Sequence, residues 1–391
     1  SSMVMSVLCW GFANEITRVN EAKRSYGFYG IIANLAGISA GYLSNAFNSM
    51  PFTPAFPFGQ TSMDQTVYFI MTLVILNGFL IMAVHLWMHK NVLTDSRFAI
   101  SQEESVDCKK KKKPKLSMRE TFRYLLNSSY AMRLAIIVIA YNVVINLLEI
   151  LWKDKVRALY PEPSTYFAYM NDVTIWTAVL ATLIGLFVTS NAIRKLGWTF
   201  TAMIAPVLLL LTSVGFFGLL LFPESWNIVA NWIQSALPEG QNALLSLTQG
   251  ALLLSPLSVA VFIGTSQNCL SRATKYTVFD ATKELAFIPL DRDVKIKTKA
   301  AIDGFGSRIG KSGGAAIHWS CTAVLGSLSA VTPYVGVFLI GIIIYWINSV
   351  THLGTKFNEL TSKKKIKTDN LNAQQSLQER KEETNPISKA E

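Results

Sequence analysis

Long runs of apolar residues separated by short polar connections set the pattern of this chain. A helix needs about 20 mostly apolar residues to cross a bilayer. Windows of that kind fall at about Tyr26–Phe47, Val67–Met88, Tyr130–Trp152, Val173–Thr189, Phe200–Phe222, Ala243–Leu270, Gly314–Val331 and Pro333–Leu353. An apolar run is already under way in the opening residues, SSMVMSVLCWGFAN. The pattern therefore predicts nine spans, the first of them clipped, and a longer natural protein upstream.

Lysine and arginine fall in alternate connections. One set holds Arg18, Lys23 and Arg24, then the run KKKKKPK (Lys109–Lys115), then Arg194 and Lys195, then the basic residues from Arg272 to Lys311, then the tail. The other set, MPFTPAFPFGQTSMDQT and PESWNIVANWIQSALPEGQN, has neither residue, and WKDKVRALYPEPSTYFAYMND is its one exception. The positive-inside rule places the first set in the cytoplasm. Three spans precede the polar linker His89–Ser129 and six follow it. Six after suggests six before, the organisation of transporters that place substrate between two bundles near the membrane midplane. The predicted fold is an all-α membrane protein, a major-facilitator-like two-bundle transporter with about nine of twelve transmembrane helices present. Its parts are residues 1–88, the C-terminal part of the N-terminal bundle; 89–129, a cytoplasmic polybasic linker; 130–353, a C-terminal six-helix bundle; and 354–391, a cytoplasmic tail. The tail has no apolar face and is expected to be disordered.

Composition agrees with a membrane protein. Of 391 residues 51% are hydrophobic and only 16% charged, unlike an ordinary soluble enzyme. The net charge of +11 reads as a topology signal and lipid-headgroup contact rather than nucleic-acid binding, because the basic residues sit between apolar runs. Cys9, Cys108, Cys269 and Cys321 are scattered, without a CxxC spacing or a histidine cluster, so neither a metal site nor a disulfide framework is expected. Gly30, Ala33, Gly37 and Gly41 form a small-residue stripe suited to close helix packing. Pro256 is expected to kink its span.

Two segments carry candidate chemistry. GFGSRIGKSGG (Gly304–Gly314) ends like a phosphate-binding P-loop, but that motif needs a glycine where Phe305 stands and an apolar strand where DRDVKIKTKAAID stands. It is not an ATPase P-loop. It reads as a glycine-flexible cationic segment, with Lys297, Lys299, Arg308 and Lys311, placed either to hold a phosphate chain at a helix N-terminus or to supply positive-inside charge. The second segment, Tyr130–Trp152, carries Asn142, Asn146, Glu149 and Lys153 at spacings of four, three and four, which is one helix face. Facing lipid, such a stripe would cost several kcal/mol. It therefore belongs either to a substrate pathway or to an interfacial Glu149–Lys153 ion pair. His318, alone in GGAAIHWSCTAV, is expected to be packed or hydrogen-bonded. Asp291 and Asp293 alternate with basic residues and are expected to form salt bridges rather than a metal or hydrolytic site.

Three stretches together resemble the ATP/ADP translocase family, the nucleotide transporters of plastids and obligate intracellular bacteria. They are WGFANEITRVNEAKRSYGFYGIIANLAG, INLLEILWK (Ile145–Lys153) and ELAFIPLDRDVKIKTKAAIDGFGSRIGKSGG (Glu284–Gly314), and the resemblance runs from Trp10 to about Leu353. It implies a multi-pass antiporter that exchanges external ATP for internal ADP by alternating access without hydrolysis, with phosphate carried by some members. It implies no enzyme activity and no cofactor. Charged residues important to the family match Glu15, Glu149 and Lys311, with Lys23, Arg24, Lys153 and Arg308 as helpers. The carboxylates are expected to act as gate partners, pairing with lysines when substrate is absent. A further family lysine belongs to helices that precede this chain. Ser25 and Thr298 depart from the residues expected in relatives. Tyr141 or Trp152 is a candidate wall for the adenine. The alternative is a proton-coupled importer of GTP, UTP, CTP or NAD. The expected location is the inner membrane of an intracellular bacterium, with the plastid inner envelope as the alternative.

Overall fold

The computed structural model describes residues 19–54, 59–92, 127–187, 189–236, 255–290, 298–299 and 301–383, and within them it holds no strand. The helices are α1 (Val19–Asn48), α2 (Ser62–Trp87), α3 (Ser129–Leu159), α4 (Pro163–Phe187), α5 (Thr189–Leu221), α6 (Glu224–Ala236), α7 (Pro256–Thr274), α8 (Asp280–Ala286), α9 (Ser307–Leu325) and α10 (Leu328–Glu383). Short π-helical turns follow α2, join α7 to α8 and precede α9. Among the described residues, α2, α3, α4, α5 and α10 each contain a stretch long and apolar enough to cross a membrane.

Two compact units divide the chain by contact rather than by order. The first comprises residues 1–115 and 156–183, the second 116–155 and 184–391. In the first unit the small-residue stripe of α1 meets α4. A methyl group on Gly37 would touch Ala178, and one on Gly41 would collide with Ile175, so glycine lets the two helices lie close. The start of α2 is fixed by a capping box: Asp64 N–H donates to Thr61 Oγ1 at 3.2 Å while the Asp64 carboxylate accepts from Thr61 N at 2.9 Å. Phe47 stacks on Phe69 and ties α1 to α2.

The second unit is built around α3, whose residues from Tyr130 to Trp152 are mostly buried. On α7, Gly264 lies under Trp152, where a methyl group would come within 2.7 Å of the indole. Helix α5 packs along α7 and α10. It bends at Gly197, whose φ of 80° is open to glycine and strained for other residues.

Several elements differ from the expectation. Pro256 does not kink a helix; it occupies the first turn of α7 behind the N-cap Ser255, a position where its missing N–H costs nothing. The GKSGG segment is not a flexible loop but lies inside α9. Helix α10 continues to Glu383, so most of the expected disordered tail is helical, in keeping with a stretch rich in Lys, Gln, Glu and Leu and free of Gly and Pro after Gly354. The connection expected after the sixth span contains the short helix α6, whose Ile228 and Trp232 are exposed.

The glycines of GKSGG divide by contact. A methyl group on Gly310 would lie 2.6 Å from Asn142 Cβ and 2.9 Å from the Ile139 carbonyl, and one on Gly314 would lie 2.9 Å from Asn146 Oδ1, whereas one on Gly313 meets nothing within 4 Å. Gly310→Leu and Gly314→Leu are therefore expected to lower the thermal unfolding midpoint in detergent, through overpacking that costs about 1–3 kcal/mol. Gly313→Ala is expected to leave it unchanged. Equal sensitivity at all three positions would count against close packing as the reason for these glycines.

Candidate functional site

The polar face predicted on α3 exists, but packing splits it. Its inner half is covered by α9. Asn142 is 6% exposed, and its Nδ2 donates to the Val138 carbonyl of its own helix at 2.8 Å. Asn146 lies under Gly314, with Oδ1 buried and without a hydrogen-bond partner. On α9 the residue one turn further on, His318, is also buried; its carbonyl accepts from Thr322 Oγ1 at 2.9 Å. The two asparagines thus belong to a helix interface.

The other half of the face remains accessible and carries an ion cluster. Lys153 Nζ lies 2.7 Å and Arg272 Nη2 2.9 Å from the same oxygen of Glu149, Oε1. The three side chains are 42%, 35% and 26% exposed, respectively, so the cluster lies at the surface of this helix rather than in its packed interface. One carboxylate against two cations leaves a net positive charge. The cations are already oriented for an oxyanion, and the guanidinium can meet either a carboxylate or a phosphate through paired N–H donors.

Contacts between α3 and α7 fix this cluster from both ends. Trp152 Nε1 donates to Thr265 Oγ1 at 3.0 Å, and the Tyr141 hydroxyl donates to the Ser271 carbonyl at 3.3 Å. Between these contacts lies a small cavity lined by Ile145, Leu148, Trp152, Gly264, Gln267, Asn268 and Ser271. Gln267 Nε2 is spoken for by Ser213 Oγ at 2.7 Å, while Asn268 Oδ1 is buried without a hydrogen-bond partner. Of the two aromatic candidates, Trp152 lines this cavity. Tyr141 does not: it stacks on Phe279 at 4.5 Å and meets Trp346 edge-on, as part of the core.

A second group of charges lies around α8. Lys283 bridges Asp280 at 3.5 Å and Asp303 at 3.0 Å, and Lys299 pairs with Glu284 at 2.6 Å. Burial raises the pKa of Asp280. Burial opposes the charged form of Lys283, but the carboxylates of Asp280 and Asp303 more than offset it and raise the ammonium's pKa. The segment is anchored by Tyr130, whose hydroxyl donates to the Ala286 carbonyl at 2.7 Å, and by Trp198, whose Nε1 donates to the Thr282 carbonyl at 2.8 Å.

Arg308 and Lys311 are exposed on α9, and among the described residues Lys311 shares no hydrogen bond or ion pair with the Glu149 cluster. Lys23 and Arg24 lie on α1, but their side chains, like Glu15, fall outside the described residues, as do Asp291 and Asp293. Arg272 is the functional candidate that the sequence did not single out. It stood among the positive-inside charges, and only its distance to Glu149 distinguishes it.

The family model described as TLC ATP/ADP transporter matches residues 1–357. The ADP,ATP carrier protein 1 of Chlamydia pneumoniae is 40% identical over 359 residues, covering 91% of this chain and 65% of its own length. The ADP,ATP carrier protein 1 of Rickettsia prowazekii (strain Madrid E) is 36% identical over 377 residues, 93% of this chain and 68% of its own length. The chloroplastic ADP,ATP carrier protein 2 of Arabidopsis thaliana is 37% identical over 368 residues, 94% of this chain and 54% of its own length. This chain therefore spans somewhat less than two thirds of the Chlamydia relatives, 65% of one and 63% of another. No solved structure matches it. A family match that runs through α1, the Glu149 face of α3 and the GKSGG segment of α9 settles the kinship: the chain belongs to the TLC ATP/ADP transporter family.

Proposed function

We propose that this protein is a two-bundle membrane antiporter that exchanges external ATP for internal ADP by alternating access, without hydrolysing either. The observation that carries the reading is Glu149 held by Lys153 and Arg272, an anion site occupied by the protein's own carboxylate. The relatives' printed name, ADP,ATP carrier protein, supports the choice of cargo. We place the protein in the inner membrane of an intracellular bacterium, with the plastid envelope as the alternative that the chloroplastic relatives leave open.

In this mechanism the phosphate chain displaces Glu149 from its cations. A nucleotide bears three or four negative charges and needs cationic partners to replace its hydration. Arg272 and Lys153 supply the first. Arg308, Lys311, Lys23 and Arg24 supply further positive charge, and Glu15 serves as a second gate carboxylate. When substrate leaves, Glu149 re-pairs with its cations and the empty carrier is held in place. Reorientation then requires a nucleotide on each pass, which makes the exchange obligatory. Catalytic chemistry has no part in this: the nucleotide is bound and released, and no bond in it is broken.

The first test measures labelled ATP uptake by the full-length protein in liposomes, with ADP inside or with the lumen empty. Uptake is expected only with ADP inside. Equal uptake into empty vesicles, driven by a pH gradient, would establish the proton-coupled importer instead. In the same assay Glu149→Gln is expected to turn strict exchange into a leak, visible as uptake into empty vesicles; a Glu149→Gln protein that stays strictly coupled defeats the gate. Arg272→Gln is expected to raise the half-saturating ATP concentration roughly ten- to a hundredfold, the loss of one charge-assisted contact.

A further inference from the structure

The first unit holds a polar contact that the exchange site does not use. Asn45 Nδ2 on α1 donates to Asp172 Oδ1 on α4 at 2.8 Å, and Asn171 Nδ2 donates back to Asn45 Oδ1 at 2.9 Å. One turn nearer the end of α1, Asn48 Nδ2 donates to the Ser164 carbonyl at 3.0 Å. On the other side of this network two glycines of α1 lie close against α4, Gly41 against Ile175 and Gly37 against Ala178. The seam thus runs from Ser164 to Ala178 along α4, about 20 Å at the rise of an α-helix. Its polar end adjoins the connection 49–61, which has neither lysine nor arginine, so the charge pattern puts that end on the outer side.

Three features set this contact apart from ordinary packing. Asp172 is an ionisable residue at the border of the apolar part of α4, exposed rather than packed into the core, and it bonds across to α1. Its bonded partner is an amide, and among the described residues no cation pairs with it. An amide–carboxylate bond can be exchanged for water without stranding a second charge, which a salt bridge cannot. Behind it, the glycines of α1 offer no side chain of their own to interlock with Ile175 and Ala178 of α4. Residues 126 and 127 positions apart in sequence are thus joined by a seam with a few hydrogen bonds at its mouth and close glycine contacts behind.

We infer that the α1–α4 seam is the outer gate of the carrier, closed by Asn45, Asn171 and Asp172 and parted each time the outer mouth opens. The inference rests on the exchange reading for its cycle and adds to it the place where the outer side closes. In this inference Asn45 and Asp172 set which side is open, and binding of cargo is left to the Glu149 cluster.

The test uses full-length protein in liposomes, with Cys9, Cys108, Cys269 and Cys321 replaced by serine and a single cysteine at Ala178, which is 7% exposed beneath Gly37. A membrane-impermeant maleimide is applied from outside. Labelling is expected to be slow with the seam intact and about tenfold faster with Asn45→Ala, which removes two hydrogen bonds. The swap Asn45→Asp with Asp172→Asn keeps a bonded pair and is expected to restore slow labelling. In a separate variant, Gly41→Cys with Ile175→Cys, oxidation is expected to cross-link the seam and halt exchange until the bond is reduced. Labelling that ignores Asn45→Ala overturns the inference. So does a failure of the cysteine pair to cross-link, or a cross-linked carrier that exchanges at full rate. Labelling reports the seam and not the cargo. A wild type that labels as expected but moves no nucleotide would therefore overturn the exchange reading and leave the gate standing.

Discussion

The close approach of α9 to α3 is the contact on which the second unit depends. It requires a residue with no side chain at two successive turns of α9, and Gly310 and Gly314 meet that need against Asn142 and Asn146. Any larger residue would push α9 outward and uncover the asparagines. With α9 seated, Asn142 is buried and Asn146 is half-buried with its Oδ1 covered, while Glu149 and Lys153 further along the same face stay accessible. The same seating gives the conspicuous GKSGG run its physical meaning. Its glycines serve helix contact, while Arg308 and Lys311 are carried on the exposed side of the same helix.

Helix α7 supplies the complementary constraint. Arg272 has a long side chain, and its guanidinium can pair with Glu149 only if α7 is held in register with α3. The bonds from Trp152 to Thr265 and from Tyr141 to the Ser271 backbone hold that register on either side of the ion cluster. Gly264 under Trp152 lets the two helices come near enough for both bonds to form. An ion pair so braced loses little further side-chain freedom on forming, which favours it over the flexible surface pairs that contribute almost nothing.

What the sequence revealed followed from periodicity. Apolar windows located most of the long helices, because a bilayer imposes a length and a polarity that a single chain displays openly. The spacing of Asn142, Asn146, Glu149 and Lys153 gave one face correctly. It did not say which part of that face another helix would cover, since α9 lies more than 150 positions away. Glycine was ambiguous for a related reason: the same residues read as a flexible loop or as a packing seam until the partner helix is known. Arg272 was hidden among basic residues explained by topology, and Asp172 lay in a connection already marked as an exception. Pro256 misled because a proline within an apolar window looks internal until the cap Ser255 shows where the helix begins.

The two polar contacts differ in what replaces them when they break. At Glu149 a carboxylate is held by two cations, and another anion can take its place and keep both cations paired. At Asp172 the partner is an amide, and water serves nearly as well. A contact that an anion can take over responds to anionic cargo, whereas one that water can take over opens at modest cost once the helices move. In the exchange cycle we propose, the first decides whether a conformational change is permitted and the second marks which side is shut. In that proposed cycle, reversing the two would tie the outer face shut with a salt bridge and leave the anion site without a lock, and the proposed link between a bound nucleotide and movement would be lost.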